Sequence, residues 1–432
     1  MSSETILGTG EAGLRREAVR RYLQGESPTE IARDLRRSRQ WVYVCQWRYD
    51  ANPQTDFADA SHAPHQSPQQ TAPEVERLIV ALRRELEAAE SDEMPYGLIG
   101  AREIQARLEG LRIDPLPSAA TIQRILAKQG LTHALGPGGA SAYYPYPLAW
   151  AADALHATDI VVRYLRRQHK VYNFHSIDVF THRVALTPML DNSSATACAH
   201  LCKAWEILGL PRIQQLDNEG AFCGGHTHPR VIGKVVRLCL LCGSEPFFTP
   251  IYEPQRNHWV ENFHALWDMA FWRRRCFTSL AHQQAEQPKF EHWYRQVYRP
   301  PALNGATIAQ FTHDMTFHTL TPDLAALLPD YTTGSPRLPL TAGYIHIMRK
   351  VKADGTVELL NDVWLVGRRW AGEYVRATID LTHHQIAFWH QADATSPVHL
   401  LLKRVFRPKE CIHDLRPPFQ RNCKRSRDCL PA

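Results

Sequence analysis

The sequence has few cysteines and no long apolar run. Ten cysteines in 432 residues, with no apolar segment after a basic start, do not form the dense framework of a small secreted disulfide-bonded protein. No uninterrupted apolar stretch approaches the length of a membrane span, and no tandem repeat indicates a solenoid or propeller. We therefore expect a cytoplasmic protein with reduced thiols and no membrane partner.

Apolar content and charge define what the chain does contain. Hydrophobic residues make up 44% of the sequence, enough for packed cores, and the length suggests roughly three or four domains. A net charge of +6 permits a polyanionic partner without requiring one. The basic residues crowd the first fifty and the last thirty positions, which indicates that any such partner binds at the ends of the chain.

The first fifty residues have the pattern of three short helices. Apolar residues recur at helical spacing in residues 14–23, a second helix starts near Thr29, and Ser38 is placed to cap a third. This pattern predicts a helix-turn-helix DNA-binding domain in residues 1–50. Four side chains of the third helix are predicted to face DNA: Arg39, Gln40, Tyr43 and Arg48. The alternative is a small helical bundle with a solvated basic face.

A second helical unit is predicted in residues 74–132, between proline-containing linkers at 51–73 and 133–150. Three amphipathic segments make it similar to another helix-turn-helix, with Ser118 as the cap of the last helix. Arg124 and Lys128 on that helix are candidate DNA contacts. A spacer bundle without base contacts is the alternative.

From residue 151 the pattern changes to strands and helices. Three strands follow each other too closely for helical crossovers and should be antiparallel, whereas the later strands are separated by helices and should be parallel. The order β-β-β-α-β-α-β-α predicts a ribonuclease-H-like α/β core in residues 151–330. Short strands in residues 338–405, with a hairpin signal at Asp354-Gly355, predict a small C-terminal β-barrel before a basic tail at 406–432. The predicted fold class is multidomain α+β.

Three acidic residues occupy positions suited to metal chemistry. Asp159 lies in the first strand of the α/β region, Asp217 follows the fourth strand, and Glu261 lies near the start of a long helix predicted at 257–275. The first and fourth strands of such a sheet are neighbours, so the two aspartates should converge. Glu261 sits at the edge of the apolar stripe of its helix and can lean toward them.

Carboxylates gathered at one place repel each other unless cations lie between them. Oxygen ligands of this kind suit Mg²⁺ or Mn²⁺. Two such ions can activate an attacking oxygen and neutralise the leaving 3′ oxygen in an in-line displacement at phosphorus. The three acids therefore predict a site for two divalent ions and phosphoryl-transfer chemistry.

At these residues the chain resembles the integrase catalytic core of bacterial insertion-sequence transposases. The matching motifs are Ile177-Asp178-Val179-Phe180-Thr181, LDNEGAF at 216–222 and YEPQRNHWVENF at 252–263. The family's DDE triad falls on Asp159, Asp217 and Glu261. The chain departs from the family pattern at Gln255, where Trp is usual, and at His258, where Gly is usual. The spacing of 261 − 217 = 44 positions between the last two acids is also wider than usual.

The resemblance implies a transposase that binds the inverted repeats at the ends of its element. It implies metal-dependent 3′-end cleavage and strand transfer into target double-stranded DNA, at the nucleoid of a bacterial cell. Because two element ends must be held together, we expect self-association to a dimer or tetramer. Two other functions remain open: a catalytically silent DNA-binding regulator derived from a transposase, and a ribonuclease-H-type nuclease.

Three further sets of metal-ligating residues deserve an interpretation. Asp178 is interpreted as a supporting or turn residue, with a metal contact as the alternative. The other two sets are possible zinc ligands that we do not favour: the first has CxxC and HxH spacing, but its CxxC lies in an apolar helical run where cysteine packs as a small hydrophobe, and the second has irregular spacing. They are Cys223, His226, His228, Cys239 and Cys242 in one set, and Cys411, His413, Cys423 and Cys429 in the other.

Overall fold

A computed structural model describes residues 10–58, 71–88, 98, 100–132, 142–166, 169–224, 229–326 and 338–415 of the chain. The chain forms two compact units, Met1–Pro73 and Glu74–Ala432. The first unit contains three helices, α1 (Glu11–Leu23), α2 (Pro28–Asp34) and α3 (Arg39–Ala51), as predicted.

Local capping explains where the helices of the first unit begin. The hydroxyl of Ser27 accepts a hydrogen bond from the Thr29 amide, and that of Ser38 accepts one from the Trp41 amide. The predicted Ser38 cap is therefore confirmed. The three helices bury a small apolar core that includes Ala18, Ile31, Ala32 and Val42.

The second unit begins with three more helices. These are α4 (Pro73–Ala88), α5 (Ala101–Gly110) and α6 (Ala119–Lys128). The Ser118 hydroxyl accepts a hydrogen bond from the Thr121 amide, which confirms the predicted cap of α6. Their apolar faces form one core, whose buried residues are Ile79, Leu82, Leu86, Ile104, Leu108, Ile122, Ile125 and Leu126.

A mixed sheet follows, and its first five strands have the predicted order. They are β1 (Leu155–Tyr164), β2 (Lys170–Asp178), β3 (Val184–Met189), β4 (Ile213–Leu216) and β5 (Glu245–Phe248). β1 is antiparallel to β2, and β2 to β3, while β4 is parallel to both β1 and β5. Connections run through α7 (Ser194–Ile207), α8 (Gly220–Cys223) and α9 (Lys234–Cys242). This arrangement places the carboxyl end of β4 beside the middle of β1.

The helix after β5 is shorter than predicted. A 3₁₀ turn at Pro254–Asn257 leads into α10 (His258–Trp267), and a π-helical segment at Asp268–Trp272 ends it. The remaining helices are α11 (Leu280–Gln296), α12 (Ile308–Phe311) and α13 (Pro322–Ala325). Among the helices that the structure describes, none is long and apolar enough to cross a membrane.

The C-terminal strands extend the central sheet, and the predicted small β-barrel is not confirmed. The strands are β6 (Tyr344–Lys350), β7 (Thr356–Leu359), β8 (Asp362–Leu365), β9 (Tyr374–Asp380), β10 (Gln385–His390) and β11 (His399–Val405). β6 pairs in parallel with β5, so that one sheet runs β11-β10-β9-β6-β5-β4-β1-β2-β3, with β7 and β8 as a separate hairpin.

Shared burial explains this extension. The apolar residues Ile347, Ile379 and Phe388 pack in the same core as Phe248 of β5 and Leu241 of α9. A separate barrel would leave the β5 edge and this apolar face exposed, and burial of both is favoured. Alternating apolar residues in short strands fit either arrangement, which is why the pattern alone suggested a barrel.

Because the two regions share a core, we predict that they unfold together. Phe388 is fully buried, so Phe388→Ala should cost about 3–5 kcal/mol of unfolding free energy. Hydrogen exchange should show that the backbone amides of β10 and of the distant strands β4 and β5 lose protection equally. The control Val405→Ala, at a side chain that is 67% exposed, should change stability by about 0.5 kcal/mol or less. Loosening of β9–β11 with unchanged protection in β4 and β5 would contradict a single cooperative unit.

Candidate active site

Parallel pairing of β1 with β4 brings the two aspartates together. Thr158 of β1 is the partner of Leu216 of β4, the last pair in their ladder. Asp159 is the next residue of β1, and Asp217 directly follows the last residue of β4. Asp159 is largely buried. The backbone amide of the next residue, Ile160, donates a hydrogen bond to Asp159 Oδ1 at 2.7 Å. The amide of Glu219 donates to Asp217 Oδ1 at 3.0 Å, which orients the second carboxylate.

Asn257 ties the third acidic residue to these two strands. Its Oδ1 accepts a hydrogen bond from Gln215 Nε2 at 2.7 Å, and its Nδ2 donates to the Thr158 carbonyl at 3.4 Å. Asn257 is 1% exposed and immediately precedes α10. Glu261 lies one turn further along that helix. One buried amide therefore connects the three segments that carry the acidic residues.

The closest group of possible ligands contains a histidine that sequence reasoning missed. Ligand atoms of Asp159, Glu261 and His264 lie within 4.8 Å of one another. His264 Nδ1 is 4.0 Å from Asp159 Oδ2 and 3.9 Å from Glu261 Oε2. The available signal was its position three residues after Glu261, which places both side chains on one face of the helix. Burial lowers the pKa of His264 to about 3, so the imidazole is neutral.

Asp217 belongs to the same electrostatic group, although it is not in that closest set. Burial, followed by repulsion from Asp217, raises the pKa of Asp159 well above its usual range. Burial also raises the pKa of Asp217 to about 6, with repulsion from Glu219 and Glu261 adding to it. Burial likewise raises the pKa of Glu261. The three carboxylates are thus costly to ionise together, which is the electrostatic situation that a bound divalent cation relieves.

The donor set fits Mg²⁺ or Mn²⁺. Both ions prefer carboxylate oxygens, and Mg²⁺ sites commonly use one or two protein carboxylates with substrate phosphate and water. The side chains of Asp159 and Glu261 are 13% and 40% exposed, so the group is open to a ligand on one side. A site of this kind can hold ions and admit a phosphate.

The C-terminal strands also support this site. Arg349 of β6 donates to Asn218 Oδ1 at 2.9 Å and to the Thr249 carbonyl at 3.2 Å. Asn218 follows Asp217 directly, and Asn218 in turn donates to the same Thr249 carbonyl at 2.6 Å. The loop that carries Asp217 is therefore held from both β5 and β6.

Asp178 lies apart from the three acidic residues. Its Oδ1 accepts hydrogen bonds from the amides of Phe180 and Thr181, at 2.9 and 3.1 Å, and so stabilises the turn after β2. It forms a separate buried group with Asp153 and His156. The structure therefore agrees with a supporting role in a turn.

The structure places the cysteines away from metal chemistry. Cys239 and Cys242 are buried in α9 within the apolar core, and half-buried Cys223 donates to the Asn218 carbonyl. In the part of the chain that the structure describes, no group of ligand atoms close enough to hold a metal ion contains a cysteine. Cys411 is exposed and His413 lies near it. The other predicted members, His226, His228, Cys423 and Cys429, lie outside the described residues.

The predicted DNA-facing side chains are all exposed. Around α3, Gln40 and Tyr43 lie near the centre of the exposed face, while Arg39 and Arg48 lie at its two edges. Trp47 of α3 is 61% exposed on the same face. Arg124 and Lys128 are exposed on α6. Their DNA contacts remain a prediction.

Comparisons with known proteins agree with this architecture in part. Residues 11–51 match the family model of the homeodomain-like domain, which covers α1–α3. No curated protein matches the chain. Similar solved structures include the catalytic core domain of HTLV-2 integrase in complex with magnesium, in its dimeric form. That likeness has 13% identity and a TM-score of 0.29, and covers 38% of this chain and 98% of the other.

The catalytic core domain of BIV integrase is similar at 14% identity and a TM-score of 0.28, covering 37% of this chain and 93% of the other. TM-scores this low do not establish a shared fold. The assignment of the site therefore depends on the geometry of this chain.

The raised pKa of Asp217 predicts a pH-dependent stability. A folded-state pKa of about 6, against an ordinary value of 3.8, means that ionisation above that pH costs folding free energy. The stability present below about pH 4 is lost as the pH rises through 6. Without divalent ions, the free energy of unfolding of Asp217→Asn at pH 7.5, measured in urea, should exceed that of the wild type by about 1–2 kcal/mol.

That difference should vanish near pH 3, because the Asp217 carboxyl is then largely uncharged in both the folded and the unfolded chain. Asp314→Asn is the matched control, since its carboxylate is 96% exposed. Mn²⁺ should raise the wild-type melting temperature more than that of Asp217→Asn. A wild type as stable as the variant throughout, with no response to Mn²⁺, would contradict the electrostatic account.

Asn257 provides a separate test of how the site is held. Asn257→Ala removes the buried oxygen that accepts the hydrogen bond of Gln215 Nε2, and should lower the free energy of unfolding by about 1–3 kcal/mol. Gln215→Ala should cost a similar amount, and the double variant should cost clearly less than their sum. Urea unfolding of the four proteins measures this coupling. Strictly additive losses would show that the two amides do not act as one link.

Proposed function

We propose that this protein is a DDE-type DNA transposase that cuts the 3′ ends of its element and joins them to target DNA. The observation that carries the proposal is the grouping of Asp159 in the middle of β1, Asp217 directly after β4 and Glu261 of α10. Burial raises the pKa of all three carboxylates, repulsion adds to it at Asp159 and Asp217, and their motifs resemble those of insertion-sequence transposases. In this proposal all three are catalytic residues and metal ligands.

Two Mg²⁺ or Mn²⁺ ions at this site would supply an activated water or 3′-hydroxyl and charge neutralisation at the leaving 3′ oxygen. The chain's own contribution is placement. Asp159 and Asp217 are held on adjacent strands, and Asn257 fixes the start of the helix that carries Glu261. The neutral imidazole of His264 lies about 4 Å from carboxylate oxygens of Asp159 and Glu261 and adds no positive charge there.

Residues 11–51 supply the DNA recognition in this proposal, with α3 as the recognition helix. Gln40, Tyr43 and exposed Trp47 would face the base edges, whereas Arg39 and Arg48 at the edges of the face would contact phosphates. Arg124 and Lys128 of α6 would add contacts outside the element end. The helix-turn-helix geometry and the clustered arginines support this division.

Strand transfer requires two element ends at once, so we propose that the protein acts as a dimer or tetramer on paired ends. Its DNA partners are the terminal inverted repeats and the target duplex. The proposed setting is the nucleoid in a bacterial cytoplasm.

A labelled duplex that carries the element's own terminal repeat separates this function from its alternatives. Nicking at the 3′ end followed by joining to a second duplex supports the transposase. Binding without cleavage would indicate a silent regulator, and hydrolysis without joining would indicate a ribonuclease-H-type nuclease.

Substitution of the three acidic residues tests the catalytic proposal. Asp159→Asn, Asp217→Asn and Glu261→Gln should each lower cleavage and joining by roughly three orders of magnitude or more, because each removes a carboxylate ligand. Binding to terminal DNA should survive in all three. Glu219→Gln, a neighbouring acidic residue outside the proposed triad, is the control and should retain much more activity. Near-wild-type cleavage by any triad variant would exclude that residue from the site.

Substitutions on α3 test recognition. Gln40→Ala or Tyr43→Ala should weaken binding to the duplex that the wild type selects from a random pool by about 1–3 kcal/mol of binding free energy. Each variant should also be less selective for that sequence. Arg39→Ala or Arg48→Ala should weaken binding to all duplexes. The slope of the logarithm of affinity against the logarithm of salt concentration should fall by about one, because one fewer phosphate is neutralised. Arg16→Ala, an exposed arginine on α1, is the control. Unchanged selectivity in all four variants would indicate that another segment reads the DNA.

A further inference from the structure

A second group of metal-ligating side chains lies inside the protein, away from the acidic residues of the active site. Asp153 precedes β1, His156 is in β1 and Asp178 ends β2, where it is the ladder partner of His156. One ligand atom from each lies within 4.8 Å of the others. The side chains of His156 and Asp178 have no exposed surface, and that of Asp153 is 2% exposed.

This group is separate from the active site. His156 and Asp159 are three residues apart on β1, and side chains alternate along a strand, so they point to opposite faces of the sheet. Leu155 and Ala157, on the face of Asp159, pack with Val260 and Phe263 of α10. Thr158, on the face of His156, is hydrogen-bonded to Gln214, which in turn bonds Trp205 of α7.

The position of the imidazole nitrogen is the observation that points to an ion. His156 Nε2 lies 3.6 Å from Asp153 Oδ1 and 3.7 Å from Asp178 Oδ2. A charged N–H···O⁻ hydrogen bond measures about 2.7–2.9 Å, and one N–H serves one such acceptor well. Neither ring nitrogen of His156 has a hydrogen bond, although both are buried. Zinc–ligand bonds of about 2.0–2.2 Å at tetrahedral angles place ligand atoms roughly 3.3–3.6 Å apart.

The surrounding structure holds the two carboxylates in this position. The Asp178 carboxylate accepts hydrogen bonds from the backbone amides of Asp153, Phe180 and Thr181. Asp153 Oδ2 accepts a hydrogen bond from the backbone amide of His318 at 3.0 Å. Gly209 leaves room for Asp153, because a Cβ there would lie 2.0 Å from Asp153 Oδ1. Asp153 Oδ1 and Asp178 Oδ2 are the carboxylate oxygens nearest His156 Nε2, and Asp178 Oδ2 is the one that accepts the Asp153 amide.

We propose that Asp153, His156 and Asp178 bind a structural Zn²⁺ ion that fastens the start of β1 to the end of β2. One imidazole and two carboxylates are ligands that zinc accepts, whereas the imidazole disfavours Mg²⁺. The ion would also compensate two buried negative charges. The guanidinium of Arg183 attracts both carboxylates but donates to the carbonyls of Ile207 and Leu208. The competing occupant is a proton on His156, whose pKa is raised by the two aspartates against the effect of burial.

The test measures zinc in the full-length protein by elemental mass spectrometry after dialysis against excess Mg²⁺. The wild type should retain about one zinc per chain, and ZnCl₂ should restore the melting temperature of chelator-treated protein. His156→Gln and Asp178→Asn should bind zinc roughly tenfold or more weakly. Two controls should retain it: Asp159→Asn in the active site, and His200→Gln, a fully buried histidine whose nitrogens pair with Ser176 and Thr187.

X-ray absorption of the zinc-loaded wild type keeps the proposal testable if the variants do not fold. It should show nitrogen and oxygen ligands, including one imidazole, and no sulfur. Zinc that is absent from the wild type, bound through sulfur, lost in Asp159→Asn or retained in His156→Gln would overturn the proposal. A metal-free protein in which nitrogen NMR shows both ring nitrogens of His156 protonated would establish the proton as the occupant. Because this site does not involve the triad, its failure would leave the proposed transposase function intact.

Discussion

The parallel pairing of β1 with β4 is the constraint on which the candidate active site depends. Their last ladder pair, Thr158 and Leu216, sets Asp159 and Asp217 side by side at the end of the sheet. The hydrogen bonds of Asn257 then bring the start of α10 to the same edge. If this register changed by one residue, the two acidic side chains would no longer lie side by side on one face of the sheet. The chemistry proposed here therefore begins with backbone pairing.

The carboxylates grouped here lower the stability of the fold when they are ionised. Carboxylates that are raised in pKa by burial and mutual repulsion destabilise the folded chain when they ionise. Proteins keep such arrangements where function requires them, and a bound cation removes much of the cost. The extended sheet offsets part of it, because β6 continues the sheet and Arg349 anchors the loop beside Asp217. The C-terminal strands are therefore part of the scaffold of the site.

Much of this structure follows from local pattern in the sequence. Helical periodicity with the caps Ser38 and Ser118 predicted α3 and α6, and the close spacing of β1–β3 predicted their antiparallel order. The π-helical segment after Trp267 and the pairing of β6 with β5 were not predicted. Both depend on tertiary contacts, such as the hydrogen bond of Arg163 to Asp268, that no local window contains.

The candidate site divides in the same way. The three acidic residues could be named from their motifs and elements, whereas the only local signal for His264 was its spacing from Glu261, and the bonds of Asn257 to β1 and β4 had none. Their importance comes from distances between residues far apart in the chain. Trp47 shows the opposite problem, since an aromatic residue at helical spacing suggests a core position and the structure exposes it. Periodicity identifies which residues can be buried, and packing decides which of them are.

Diffraction at the manganese absorption edge tests the central claim most directly, because it locates ions without reference to any DNA sequence. Crystals of the full chain soaked in Mn²⁺ should show an anomalous peak about 2.1–2.3 Å from a carboxylate oxygen of Asp159 and from one of Asp217 or Glu261. A second peak at the same group is expected when a terminal duplex is bound. Saturating Mn²⁺ with no peak at Asp159, or with the three carboxylates turned away from one another, would contradict the account.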